Sequence, residues 1–152
     1  VFKKPKSSNF QLKSQKNDSA FWINPSRWGF KKAVSNTEAE YEFQLKGKDL
    51  YGMAVTEEIE ISLESLVDLA LSNAQSAAPD ARVTKKEYRN VNGKKVIYME
   101  IQGTIQSIKF TYMGYYYSNA SGSTQLITYT ATNLVPKYKK EVNDFLNGLI
   151  EQ

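Results

Sequence analysis

Ile105-Gln-Ser-Ile-Lys-Phe-Thr-Tyr-Met-Gly-Tyr-Tyr-Tyr-Ser-Asn-Ala-Ser-Gly-Ser-Thr-Gln-Leu-Ile-Thr-Tyr-Thr-Ala-Thr132 decides the fold. The stretch reads as two aromatic-rich strands joined by a turn at Ser121-Gly122-Ser123. Side chains alternate across a strand, so Ile108, Phe110, Tyr112, Gly114 and Tyr116 share one face, and Lys109, Thr111, Met113, Tyr115 and Tyr117 share the other. The first face is core-like. The second is amphipathic, which makes Tyr115 and Tyr117 a candidate contact surface, with Trp22 and Trp28 as companions, because exposed Tyr and Trp give large contact areas at low entropic cost. Gly114, set among aromatics, marks a bulge, a bend or a close backbone approach.

Working outward, residues 82–103 form a hairpin around Asn92-Gly93, a dipeptide that supplies the two positive-φ positions of a tight turn. Its register follows: Arg89 faces Val96, Glu87 faces Tyr98 and Lys85 faces Glu100, while Tyr88 with Ile97, and Lys86 with Met99, lie on the other face. Tyr88, Ile97, Met99 and Ile101 are expected to be the more buried set, with the basic residues solvated. Before this hairpin, Ser62 caps a helix with Glu64 in its first turn, and Leu63, Leu66, Val67, Ala70, Leu71 and Ala74 form its apolar stripe up to a stop at Pro79. A second helix follows Thr132 or Asn133 as its cap, with Pro136 in the first turn; Leu134, Tyr138, Val142, Phe145, Leu146, Leu149 and Ile150 make its inward face. Shorter strands are read at Phe21-Trp22-Ile23, 28–34, 40–45 and 50–61.

Two helices separated by paired strands, without βαβ alternation, define an α+β domain on a mainly antiparallel sheet. Its length of 152 residues is that of one domain, and no apolar run is long enough to span a membrane. The net charge of +4 lies in residues 1–18, where Lys3, Lys4, Lys6, Lys13 and Lys16 stand against Asp18. This polar segment reads as a tail or linker preceding a domain at 19–152, and the charge balance beyond it gives no reason to expect nucleic acid. A start at Val1 reads as a portion of a longer precursor, tethered through its N-terminus.

The segment Phe21 to Gly29, with Asn24-Pro25-Ser26-Arg27-Trp28, resembles the PsbP-like superfamily, as does Gln125-Leu126-Ile127-Thr128-Tyr129-Thr130-Ala131-Thr132 followed by a helix closing on Phe145 to Ile150. The superfamily includes photosystem PsbP proteins, a Ran-binding nuclear import factor and envelope lipoproteins of the DcrB and LpqN kind. The resemblance implies an antiparallel sheet sandwiched by helices, a bacterial non-catalytic accessory role and, by preference, a place in the periplasm or envelope. The histidines associated with metal binding in PsbP proteins have no counterpart here.

The chain has no histidine and no cysteine, so neither a Ser-His-Asp nor a Cys-His site can be built, and the phosphate-loop and dinucleotide fingerprints are missing. Catalytic residues, cofactors and metal ligands are therefore not expected. The acidic runs Glu57, Glu58, Glu60 and Glu38, Glu40, Glu42 lack the glycine and spacing of a calcium loop and read as solvated acidic edges. Two functions fit. The first is a binding or assembly domain that meets a protein partner through its aromatics; the second is a small apolar ligand, or weak carboxylate-based hydrolysis, in a pocket between sheet and helix.

Overall fold

The computed structural model describes residues 1–34 and 38–152. Its strands are β1 (Phe10–Lys13), β2 (Ser19–Ile23), β3 (Trp28–Lys32), β4 (Ala39–Leu45) and β5 (Tyr51–Glu57) before helix α1 (Leu63–Ala77). After it come β6 (Arg82–Val91), β7 (Lys94–Ile105), β8 (Ile108–Asn119), β9 (Gly122–Ala131), helix α2 (Val135–Leu146) and β10 (Leu149–Glu151). The described strands form a large antiparallel sheet in the order β3-β4-β5-β9-β8-β7-β6 and a small one in the order β1-β2-β10. This is the expected α+β architecture. Among the described residues, no helix is long and apolar enough to cross a membrane.

The connections place the helices on opposite faces. Helix α1 links central β5 to edge strand β6 and packs over β6, β7 and β8. Its start is fixed as the sequence indicates: the Ser65 amide donates to Ser62 Oγ at 3.1 Å, a cap worth about 1 kcal/mol. Leu66, Val67 and Ala70 bury its inner stripe against Ile97, Met99 and Tyr116. Helix α2 follows central β9, returns over the other face and leads into β10, which pairs with β2. That second core gathers Phe21, Trp28, Phe43, Tyr98, Tyr115 and Phe145.

The derived register of the β6–β7 hairpin is the one observed, including Arg89↔Val96, Glu87↔Tyr98 and Lys85↔Glu100, with Asn92 and Gly93 at φ 50° and 83°. Ile97, Met99 and Ile101 are buried as expected, but the rest of the pattern differs. Val96 and Tyr98, expected on the wet face, are buried under the small sheet and α2, whereas Tyr88 is 53% exposed at the open edge strand. Lys85 reaches Glu87 at 3.7 Å rather than its cross-strand neighbour Glu100. Gln106 and Ser107, both at positive φ, turn β7 into β8 without a glycine or asparagine signal.

Two further expectations are corrected. Residues 1–18 are not a loose tail: Leu12 is buried, β1 pairs along β2, and Phe2 exchanges backbone hydrogen bonds with Asn90 and Asn92. The apolar Phe2 and Leu12 find exposed core edge to cover, and Lys4 satisfies the carbonyls of Pro5 and Ser8 while lying over the Trp22 ring. At the other end, Leu134 rather than Thr132 or Asn133 stands at the cap position of α2, and the helix stops at Leu146, so Leu149 and Ile150 belong to β10 rather than to the helix. Gly148 permits this change of course: a Cβ there would lie 1.9 Å from the Trp22 carbonyl oxygen, and its own carbonyl accepts from the Trp22 amide at 2.9 Å.

Candidate functional site

The four aromatics expected to form a contact surface do not form one. Tyr115 is wholly buried, Trp28 is 3% exposed, Tyr117 is 9% exposed and only Trp22 is partly open, covered on one side by Lys4. The reason is the second layer: α2 and the small sheet lie over the face that carries Tyr115 and Tyr117. Each ring is also committed within the fold. Tyr115 donates its hydroxyl to Asn147 Oδ1 at 2.6 Å and accepts from Arg89 Nη1 at 3.3 Å; Tyr117 donates to Glu151; Trp28 packs on Phe145 with centroids 4.3 Å apart. Arg89 itself lies 3.8 Å over the Tyr98 ring and donates to Glu87 at 2.7 Å. These are structural aromatics.

The acidic runs divide. Glu57, Glu58 and Glu60 are exposed as expected. Glu40 is instead a clamp, accepting from Ser14 Oγ at 2.7 Å, Thr56 Oγ1 at 2.7 Å and the Gln15 amide at 2.8 Å, which ties the loop after β1 to the large sheet. Among the described residues, no group of three His, Cys, Asp or Glu is placed to hold a metal ion.

The accessible site lies on the other face of the sheet. Helix α1 presents Ala70, Ala74 and Ala77 over β5, β9 and β8, where larger side chains would fill the gap. A cavity of about 310 Å³ remains, open on one side, between these alanines and Met53, Val55, Ile101 and Ile127. Glu38 stands exposed at its rim and is the one charged residue in its lining among the described residues.

A glycine sets the strand packing beside Tyr116. A Cβ on Gly114 would lie 2.9 Å from the Leu126 carbonyl oxygen and 3.1 Å from the Tyr116 hydroxyl. The missing side chain lets β9 approach and leaves room for the Tyr116 ring to lie along its own strand. Of the bulge, bend or close approach read at Gly114, the close backbone approach is present.

Two buried polar side chains line this apolar space, besides exposed Glu38 and Asn73 and half-buried Tyr112. Tyr116 is 1% exposed and Gln125, its cross-strand partner, is 5% exposed. Neither the Tyr116 hydroxyl nor the Gln125 carboxamide has a hydrogen-bond partner among the described residues, yet no polar side-chain atom is sealed away without one, so both open onto the cavity. Burial pushes the Tyr116 phenol well above its ordinary range, so it stays protonated and able to donate.

Beyond α1 the same face continues as a row of tyrosines. Tyr112, Tyr129 and Tyr51 are cross-strand neighbours, with ring centroids 5.7 Å and 5.6 Å apart. Tyr112 forms one wall of the cavity, and Tyr51 with Tyr129 borders a shallower groove over Gln44 and Gly52. Sequence periodicity assigns Tyr112 and Tyr116 to folding alone and misses Gln125. The local signal of the site is the alanine stripe Ala70, Ala74, Ala77 on α1.

No protein-family profile matches the sequence, and no curated protein sequence does. The fold is nonetheless shared: the chain is an α+β protein of the PsbP-like fold. It superposes on the solution structure of cyanobacterial PsbP (CyanoP) from Synechocystis at a TM-score of 0.69 and 12% identity, covering 97% of this chain and 95% of that one. A protein of unknown function, PA94 from Pseudomonas aeruginosa, matches at 0.58 and 10% identity, over 94% of this chain and 96% of that one. A crystal structure from Bacteroides thetaiotaomicron matches at 0.62 and 9% identity, over 95% of this chain but 49% of the other.

Proposed function

We propose that this domain is a non-catalytic binding protein whose ligand is a small, mainly apolar molecule seated between α1 and the large sheet. The observation that carries this reading is the cavity of about 310 Å³, walled by Met53, Val55, Ala74, Ile101 and Ile127. It falls at the lower end of small-molecule sites and is about twice the size of cavities that admit benzene. The fold shared with PsbP accords with an accessory role, and an accessory domain of this kind fits a place outside the cytoplasm. A hydrolytic role is not favoured: Glu38 is the only carboxylate in the lining, and no second acid or base faces it there.

The test is a fluorescence titration with prodan, a neutral naphthyl ketone dye that shifts to the blue in apolar surroundings. Saturable blue-shifted emission is expected with the wild-type domain. Ala74→Trp from the helix side and Val55→Trp from the sheet side are each expected to weaken binding by roughly tenfold or more, since each puts an indole in the space. Thermal melts identify any variant that fails to fold. Equal binding by the folded tryptophan variants would place the dye elsewhere and refute the reading.

A further inference from the structure

The Tyr116 hydroxyl and the Gln125 carboxamide add chemistry that an apolar cavity does not need. A buried hydroxyl or amide without a partner is costly, and protein interiors nearly always satisfy such groups. Here two adjacent ones, on neighbouring strands β8 and β9, face the same space with no acceptor or donor among the described residues. If the cavity existed only because α1 packs imperfectly, apolar residues at these positions would be the more stable choice. Between them the pair offers two kinds of hydrogen bond. The phenol donates, and the carboxamide both donates and accepts.

Charge narrows the complementary group. No lysine or arginine lines the cavity, and Glu38 at the rim is its one ion. A carboxylate or phosphate would enter without a cation and past a like charge, losing its hydration for two neutral dipoles. An ammonium group would find its counter-ion only at the exposed rim, away from the buried pair. A neutral group that accepts one hydrogen bond and donates another satisfies both side chains at once.

Resting on the cavity being a ligand site, we propose that its ligand is an uncharged amphiphile with a carboxamide-type head held by Tyr116 and Gln125 and an aliphatic body against Met53, Val55 and Ile127. The two polar residues select the head group, and the methionine and branched side chains accept the body without demanding one shape. Gly114 makes room for the phenol: without a Cβ there, the ring lies along its own strand, its hydroxyl 3.1 Å from where that Cβ would stand.

The chain has three methionines, and they report on this directly. Met53 lines the cavity, Met99 packs beneath α1, and Met113 is buried on the opposite face of the sheet. Methionine methyl resonances of the full chain are followed while octanamide, octanoate, octylammonium or toluene is added. Octanamide is expected to shift Met53 saturably and leave Met113 in place, with octanoate and octylammonium binding at least tenfold more weakly. Tyr116→Phe and Gln125→Met, each changing little volume, are expected to weaken octanamide severalfold to about tenfold while leaving toluene binding unchanged. Equal binding of amide and ions, or amide binding indifferent to both variants, overturns the head-group assignment while the cavity reading stands. Failure of toluene and octanamide alike to move Met53 overturns the cavity reading and this inference with it.

Discussion

Replacing Phe145 by alanine is expected to lower the free energy of unfolding by about 3–5 kcal/mol, the largest single-residue effect on this face of the sheet. Phe145 is 2% exposed and joins three elements through one ring. Its centroid lies 4.3 Å from that of Trp28 on β3 and 4.9 Å from that of Phe43 on β4, the latter edge to face. Gly52 on β5 makes room for it: a Cβ there would stand 3.3 Å from the ring. Truncation removes the burial of the ring and both aromatic contacts, and leaves a cavity that α2 cannot collapse into, because β10 anchors the chain just beyond it. For a chain of this size the loss corresponds to a fall in melting temperature on the order of 10 °C. Urea unfolding monitored by circular dichroism measures it. A loss under about 1 kcal/mol would mean that α2 is not held on the sheet as described.

Tyr115→Ala is the second large effect, also about 3–5 kcal/mol, and it separates a structural tyrosine from an interface tyrosine. The side chain is fully buried, sits edge to face with Tyr98 at 6.1 Å, and bonds both Asn147 and Arg89 through its hydroxyl. Tyr115→Phe keeps the ring and loses the hydrogen bonds, so a smaller cost of about 1–2 kcal/mol is expected from the buried polar partners left behind. Neither variant is expected to change prodan binding if it remains folded, since the cavity opens on the opposite face. Weakened prodan binding by folded Tyr115→Phe, with stability unchanged, would contradict this division of labour between faces.

That division was only half legible in the sequence. Alternation along 108–117 correctly divided the residues into two faces, and the Asn92-Gly93 turn gave the hairpin register residue by residue. Alternation does not tell which face carries the heavier cover. A sheet packed on both sides shows two apolar faces, and the amphipathic one, with Thr111, Met113, Tyr115 and Tyr117, is sealed because α2 and β10 arrive from distant sequence. The small sheet was the least visible element. Its strands are short, β1 lies within a lysine-rich segment that composition marks as a tail, and β10 follows so closely on α2 that helical spacing absorbs it.

The site was missed for a related reason. A cavity is a deficit of side-chain volume, created where Ala70, Ala74 and Ala77 on a helix face Met53, Val55 and Ile127 on strands distant in sequence, and no local pattern records it. Gln125 likewise reads as an ordinary strand residue among threonines. Only the sheet places it beside Tyr116 with neither side chain partnered.

The account rests on the space beneath α1 being an apolar site that ligands enter. Xenon diffused under pressure into crystals of the domain tests this without presupposing the ligand, because xenon occupies apolar cavities of this size. Xenon density is expected between Ala74, Met53 and Ile127, abolished in Ala74→Trp. Xenon confined to other positions, or a space already filled by rearranged side chains of α1, would contradict it.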